Sequence, residues 1–359
     1  MERIADAVFI TAADGTIVYV NPAFEELTGY SREESVGSTP RLLRSGYHDA
    51  AFYKRLWDTV LAGEVFRGTL VNRRKNGEVF SAEHTISAIT GADGRCEYLV
   101  SVGRDISERL RGERRDAELE TGWEVQRRLY PRGAPRLPGF DIAGEAHPTA
   151  VLCGDYYDFV PMAGGCLGLT VADVCGHGVG PSLLMAQARA YLRMLALSHG
   201  DPGEVLRELN DLLAVEGSER EFVTQILVRI DPETRTMTYA NAGHPSGLVV
   251  SGSGEVRRTL SSRALPLGIF PDRPCPSSEP IRLEPSDVVV LYSDGISESC
   301  DAAGEELGTG RILETVRGCL GAPAREILEA VYEAALSFRG DAPQVDDMTA
   351  IVCKLDAAQ

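Results

Sequence analysis

Four carboxylate positions in this 359-residue chain share one feature: each stands where an apolar, β-branched run begins or ends. LTVA runs into Asp173, DVVVLYS runs into Asp294-Gly295, and Asp346-Asp347 feeds MTAIVCKL; Asp155, in CGDYYDF, precedes them all. Singly these are ordinary, because Asp-Gly is a turn dipeptide and acids at strand ends are usually turn-formers. Together they say more. A residue at the end of a buried strand has a fixed backbone, so its carboxylate can be aimed. Several carboxylates converging without Lys or Arg partners repel strongly at a few ångströms. A divalent cation resolves that repulsion, and all-oxygen donors select Mg²⁺ or Mn²⁺ over zinc.

The segment LTVADVCGHG also holds Cys175 and His177, which raises a thiol–imidazole nucleophile as a rival. A cysteine phosphatase needs a phosphate-cradling CxxxxxR loop, and neither Cys175 nor Cys153 has an Arg at that position. The eight cysteines are scattered with no CxxC pair, which speaks against a disulfide framework or a structural zinc site. Packed, reduced thiols are the expectation.

The net charge is −17, and the excess acid falls almost wholly beyond residue 115. An acidic domain repels nucleic acid and anionic membranes. No apolar run has the length to cross a bilayer and the first residues lack a signal-peptide layout, so the expectation is a cytoplasmic protein.

The elements that must position these residues fall into two sets. In the first hundred residues, VFIT and TIVYV flank Asp14-Gly15, VNRR and VFSAEH flank Asn76-Gly77, and a third pair flanks Asp93-Gly94. Such dipeptides between strand-forming runs are hairpin signals. PAFEELTGY and AAFYKRLWDTVLAG between them carry helical spacing, with Phe52, Leu56 and Val60 on one face. This predicts an antiparallel sheet with helices on one side. Residues 107–131 read as a charged helix ended by Pro131, weakened by Gly112 and Gly122 and without a clean heptad. From about 133 the pattern is α+β. CLGLTVADV, FVTQILVRID, TMTYANAG, SGLVVSG, DVVVLYSDG and MTAIVCKL read as strands. Helical faces follow Leu184, Ala188, Tyr191 and Leu195; Val205, Leu209, Leu212 and Leu213; and Ile327, Leu328, Val331 and Ala335.

NPAFEELTGYSREESVG, GEVFRGTLVNRRKNGEVF and VGRDISERL, in that order, resemble a Per-Arnt-Sim (PAS) sensor domain over residues 1–106. The resemblance implies a small ligand or a dimer contact and leaves the ligand unknown. Where light-sensing relatives carry a flavin-reactive Cys, GSTPRLLR has Pro40, which speaks against flavin photochemistry. His48 and His84 are candidate haem ligands, although a lone His is more often a surface or core residue.

WEVQRRLYP, CGDYYDF, VADVCGHGVGPSLLM, ANAGHPSGLV, LPLGI, VLYSDGISES and DDMTAIV strongly resemble the SpoIIE-like branch of the metal-dependent serine/threonine phosphatase (PPM) superfamily, over residues 123–355. The implied organisation is a PAS domain at 1–106, a helical linker at 107–132 and a phosphatase domain at 133–359 with a four-layer α-β-β-α sandwich. The resemblance makes Asp173 the bridging ligand of two ions, Mn²⁺ or Mg²⁺. Val174 lends its carbonyl and Asp155 its carboxylate to the second ion, while Asp294 and Asp346 serve the first. Asp347, adjacent to Asp346, is the alternative there. No protein group is then the nucleophile; a water between the two ions attacks phosphorus. Gly176, His177, Gly178 and His244 fall to support of the site. His177 stands four residues past Asp173, so the proton-donor role of the wider superfamily's DGHGG histidine does not transfer. Arg128 and Arg132 have no support as the phosphate clamp of eukaryotic relatives.

The resemblance implies a protein serine/threonine phosphatase regulated by its PAS sensor. Its substrate would be a phosphorylated anti-sigma-factor antagonist, in a partner-switching pathway for signal transduction and stress response. A homodimer is the expected assembly, with neither nucleic acid nor membrane as partner. The rival from another class is a catalytically silent sensor–scaffold, against which the full carboxylate set argues.

Overall fold

A computed structural model describes residues 6–92, 95–149, 152–176, 178–216 and 221–357. The chain divides into two compact units, Met1–Glu118 and Leu119–Gln359.

In the first unit, β1 (Ala7–Ala12), β2 (Ile17–Val20), β3 (Phe66–Arg73), β4 (Val79–Thr90) and β5 (Cys96–Asp105) form one antiparallel sheet in the order β2-β1-β5-β4-β3. The expected hairpins at Asp14-Gly15 and Asn76-Gly77 are present, both glycines having positive φ. Asp93-Gly94 lies outside the described residues. Between β2 and β3 run α1 (Pro22–Thr28), α2 (Arg32–Ser35) and α3 (Ala50–Leu61). Asn21 caps α1 by accepting from the Phe24 N–H at 3.0 Å, and its oxygen also accepts from Val8 N–H at 2.8 Å, tying the helix start to β1. Leu56 and Val60 of α3 are buried as the spacing predicts, with Phe52 packed beside them.

Next comes α4 (Ser107–Gln126), which continues through Gly112 and Gly122. The absent side chain at Gly122 has a local use: a Cβ there would touch the Leu152 side chain at 3.4 Å.

The second unit stacks two five-stranded sheets. One, in the order β13-β10-β9-β8-β7, comprises β7 (Tyr156–Met162), β8 (Cys166–Val174), β9 (Val223–Asp231), β10 (Thr236–Ala242) and β13 (Ile281–Arg282). The other, β12-β11-β14-β15-β6, comprises β6 (Phe140–His147), β11 (Gly247–Val250), β12 (Val256–Leu260), β14 (Val288–Tyr292) and β15 (Met348–Leu355). One core cluster joins Leu169, Val171, Ile226 and Val228 of the first sheet to Val289, Leu291 and Ile351 of the second. A second cluster packs α5 (Val179–Ser198) and α6 (Pro202–Glu216) on the first sheet. A third packs α7 (Asp294–Ser297), α8 (Gly308–Gly318) and α9 (Ala324–Arg339) on the second. These are the four layers expected, each strand face supplying one layer contact.

Some readings shift. Four strands are not among those expected: β6 and β7, whose FDIAGEAH and YYDFVPM mix acids into short apolar runs, and the edge strands β12 and β13, which are short and carry arginines. Of the expected α5 face, Ala188 is buried and Leu184, Tyr191 and Leu195 are partly buried against the core; Met185, Leu192 and Ala196 complete the buried face. Leu212 of α6 is exposed, whereas Val205, Leu209 and Leu213 are buried. Among the described residues no helix is long and apolar enough to cross a membrane.

Candidate metal centre

The acids collect where the two sheets of the sandwich end. Asp173 is the penultimate residue of β8, a strand buried along nearly its whole length, and is paired in register with Thr224 of β9. Asp155 precedes β7, whose Tyr156 pairs with Ala172 of β8, so the ladder continues to Asp155 beside Asp173. Gly154 permits this approach: a Cβ there would lie 2.5 Å from the Val174 carbonyl oxygen and 3.4 Å from Asp173 Oδ1. The glycine of the GD pair thus brings Asp155, Asp173 and the Val174 carbonyl to one place.

On the facing sheet, β14 ends at Tyr292 and α7 opens with Asp294, while Asp346 and Asp347 lead into β15. A Cβ on Gly295 would fall 1.9 Å from the Asp347 carbonyl oxygen, so only glycine lets these segments touch. The Ser293 hydroxyl accepts from Thr349 N–H at 3.0 Å and donates to the Asp347 carbonyl at 3.2 Å, locking the two strand ends together.

Electrostatics unite the groups. Burial, then Asp173, push the Asp155 carboxyl well above the usual range, with the Thr349 and Ser293 side chains working the other way. Burial also raises Asp173, followed by Asp294 and Asp346. Asp294 is raised by burial. No Lys or Arg counts among the groups acting on these three. Asp155 Oδ2 is buried without a hydrogen-bond partner, a costly arrangement unless something electropositive faces it. Among the described residues no three Asp, Glu, His or Cys side chains yet close on a single point as ligands would. The donor set nevertheless fits a hard cation: oxygens only, mutually repelling, and one orphaned.

Asp346 and Asp347 differ sharply. Asp347 is buried, and its Oδ1 accepts from Thr149 N–H at 2.7 Å and Thr149 O–H at 2.9 Å. Asp346 is exposed, accepts from the Asp347 N–H at 2.8 Å, and is one of the charges acting on Asp173.

The supporting residues are placed as follows. Cys175 continues the β8–β9 pairing, its N–H donating to the Phe222 carbonyl at 3.1 Å. Gly176 and Gly178 have φ of 91° and 95°, turning the chain into α5. His177 lies outside the described residues. His244 is buried, and burial pushes its imidazole down to about 3, so it is neutral. Its Nδ1 meets Thr224 Oγ1 at 2.9 Å, on the residue paired with Asp173, which makes it a brace beside β8.

Sequence reasoning missed three contributors. Glu298, one helical turn past Asp294, is raised by burial, then by Asp294, Glu306 and Asp346; its signal was the acid in DGISES. Gln126, at the end of α4, donates from Nε2 to the Cys153 carbonyl at 2.7 Å and accepts from Cys153 N–H at 3.3 Å. Tyr130 O–H donates to the Asp155 carbonyl at 2.7 Å and lies 2.9 Å from Cys153 Sγ. Both grip the backbone that carries Asp155, and nothing in WEVQRRLYP announces that contact. Three residues beyond Asp155, Asp158 is buried too but fully paired, with Arg193 Nη1 2.8 and 2.6 Å from its two oxygens.

Comparison with known proteins agrees with this architecture. The sequence model of the stage II sporulation protein E (SpoIIE) family matches residues 163–356, and that of the PAS fold matches residues 1–106. The phosphoserine phosphatase RsbU of Bacillus subtilis is 27% identical over 262 residues, covering 72% of this chain and 77% of the relative. The crystal structure of the RsbU and RsbW domains of a Mycobacterium tuberculosis protein superposes with a TM-score of 0.55 at 27% identity, covering 63% of this chain and 64% of that one. The SiaA-PP2C domain of Pseudomonas aeruginosa gives a TM-score of 0.60 at 24% identity, over 68% of this chain and 98% of that domain, a likeness of fold.

Proposed function

The chain belongs to the SpoIIE family, with a PAS domain ahead of the phosphatase fold, and on that premise we propose that it is a protein serine/threonine phosphatase that uses divalent cations. The observation that carries the reading is the buried, partnerless Asp155 Oδ2 within a group of carboxylates that raise one another. Asp173 would bridge two ions, Asp155 and the Val174 carbonyl would complete one set, and Asp294 and Asp346 the other. Asp347 is spent on Thr149 and serves to hold the loop. Mn²⁺ or Mg²⁺ bound there supplies Lewis acidity for hydrolysis of a phosphoric monoester by water.

The chain's own residues do the rest. Gly154 and Gly295 let four backbone segments meet, and Ser293 and Thr349 fix the strand ends from which Asp294 and Asp346 project. Cys153 is unsuited to be a nucleophile, since burial pushes its thiol up to about 12.

The relatives named for phosphoserine hydrolysis support a phosphoserine or phosphothreonine on a separate protein, of the anti-sigma-factor-antagonist kind, as substrate. Partner switching in a stress response, action in the cytoplasm, and a homodimer in which the PAS domain and the 107–132 segment set phosphatase activity complete the reading. Turnover of a phosphoserine peptide with Mn²⁺ tests it. Asp173→Asn is expected to lower turnover at least about a thousandfold, as loss of a ligand shared by two ions should, whereas Cys175→Ser retains it. A folded wild-type protein with no turnover in Mn²⁺ or Mg²⁺ would favour the silent scaffold instead.

A further inference from the structure

His244 stands where the chain crosses from one sheet of the sandwich to the other, in the short connection between β10 and β11. Gly243, at a φ of 73°, turns the chain there, and a Cβ on it would lie 2.5 Å from Pro266 Cγ. One buried side chain fixes the main chain that carries the imidazole. Asn241 Oδ1 accepts from His244 N–H at 2.9 Å, and Asn241 Nδ2 donates to the His244 carbonyl at 3.1 Å. The same Nδ2 donates to the Leu260 carbonyl at 2.9 Å, which ties β10 of the first sheet to β12 of the second. With both of its main-chain polar groups held, His244 has a fixed direction.

The ring reaches toward both ligand sets. Nδ1 lies 2.9 Å from Thr224 Oγ1, and Thr224 is the register partner of Asp173. The other edge faces the second sheet. Leu248 of β11 pairs with Val290 of β14, so the ladder leads from Tyr292 back to the connection that carries His244. Besides burial, the group acting on the imidazole is the Tyr292 main chain, in the direction that favours a proton on the ring. A group acting in that direction is an acceptor, here the Tyr292 carbonyl, and Tyr292 ends β14 just ahead of Asp294. Nε2 is buried and makes no direct hydrogen bond. With the Thr224 hydroxyl donating to Nδ1, the proton sits on Nε2, a tautomer assigned from the network. A buried N–H is costly unless an acceptor faces it, and the Tyr292 carbonyl is that acceptor.

We propose that His244 is a positioning residue of the metal centre, a strut whose two ring nitrogens span Thr224 and the Tyr292 carbonyl and set the distance between the Asp155–Asp173 side and the Asp294–Asp346 side. One carboxylate can bridge two ions only if the strand ends that carry the remaining ligands keep one separation. The strut carries no charge, so it fixes that separation without competing with a cation. The inference rests on the two-ion centre proposed above and adds what fixes its width; His244 touches neither cation nor substrate.

Calorimetric titration of the full-length protein with Mn²⁺, in the absence of substrate, tests the assignment. His244→Leu removes both arms and is expected to weaken Mn²⁺ binding about tenfold. His244→Gln offers an acceptor and a donor on one planar group and should recover most of that loss. Thr224→Val breaks one arm and should weaken binding about threefold; in the His244→Leu background it should add nothing, because the arm has lost its partner. A histidine that only fills space gives a different pattern: the Leu variant unfolds at lower urea in EDTA yet binds Mn²⁺ as the wild type does, and Gln is no better than Leu. Either of those results overturns the proposal, as does a Thr224→Val effect that persists in full beside His244→Leu. If His244→Leu does not fold, Thr224→Val decides alone, and an unchanged Mn²⁺ affinity overturns the proposal. Turnover of the phosphoserine peptide is scored separately. A wild type that binds Mn²⁺ without turnover sinks the phosphatase reading and leaves the strut to the binding data, full turnover with equal Mn²⁺ affinity in every variant does the reverse, and a wild type that binds no Mn²⁺ overturns both.

Discussion

The two units bury polar groups in opposite ways. In the PAS domain, Asn72, His84 and Ser101 are buried as neutral groups that hydrogen-bond one another. In the phosphatase domain, Asp155, Asp173 and Asp294 raise one another or are raised by burial, and no Lys or Arg is among the described groups acting on them. Neutral groups can be buried at modest cost if each finds a partner, whereas like charges cannot share a site unless a counter-charge joins them. The contrast separates neutral groups that pair with one another from carboxylates that only repel. Asp158 is the internal control: on the same strand as the acidic centre, it is equally buried yet held by Arg193.

The largest break in that contrast should come from Asp173→Asn. Without divalent cation the amide relieves repulsion, so the variant is expected to melt above the wild type. With Mn²⁺ at a thousand times its dissociation constant the wild type gains about 4 kcal/mol, and the variant gains far less. A reversal of the order of melting temperatures on adding Mn²⁺ checks this. A variant that is less stable than wild type in EDTA would mean that Asp173 is a structural acid like Asp158.

Arg193→Ala tests the control. Removing Arg193 leaves buried Asp158 with Arg189 alone, whose Nε lies 3.0 Å from its Oδ2, and a loss of about 2–3 kcal/mol in urea unfolding is expected. Mn²⁺ should not restore it, because Asp158 is not part of the centre.

The sequence made the acidic centre legible because chemistry there depends on residue type at strand ends. Asp155, Asp173, Asp294 and the Asp346-Asp347 pair were all visible as carboxylates beside apolar runs. Which of the last two points inward was not visible, since it rests on Thr149, almost 200 residues away in the chain. The polar row of the PAS domain was equally hidden: Asn72, His84 and Ser101 lie on three strands and meet only through register. On α5 the expected Ala188 is buried, while Leu184, Tyr191 and Leu195 pack along the edge of a face completed by Met185, Leu192 and Ala196.

A smaller effect should report the neutrality of the PAS row. The pKa of His84 is lower folded, about 4, than the ordinary 6.5, so the unfolded chain binds more protons in between. Its contribution is fully present above pH 6.5 and falls as pH drops toward 4, by about 2 kcal/mol at pH 5. His84→Gln is expected to flatten the acid side of the unfolding curve for that domain. An unchanged acid limb would mean that the imidazole is solvated or paired with a carboxylate.

The smallest expected effect bears on what completes the acidic centre. The PAS row is braced within its own sheet, but the Asp155 backbone is held from outside, by Tyr130 and Gln126. Tyr130→Phe keeps the ring and removes the hydroxyl, so stability should fall by only about 1 kcal/mol. A carboxylate whose loop has loosened must be ordered when the cation arrives, and that ordering weakens metal binding. The expected result is therefore a several-fold rise in the Mn²⁺ concentration for half-maximal turnover, with kcat at saturating Mn²⁺ near wild type. Gln126→Ala should behave likewise, and the two changes together should add less than their sum because both hold one loop. If kcat fell while the metal requirement stayed fixed, the end of α4 would be bracing the substrate side of the centre and not the Asp155 ligand loop.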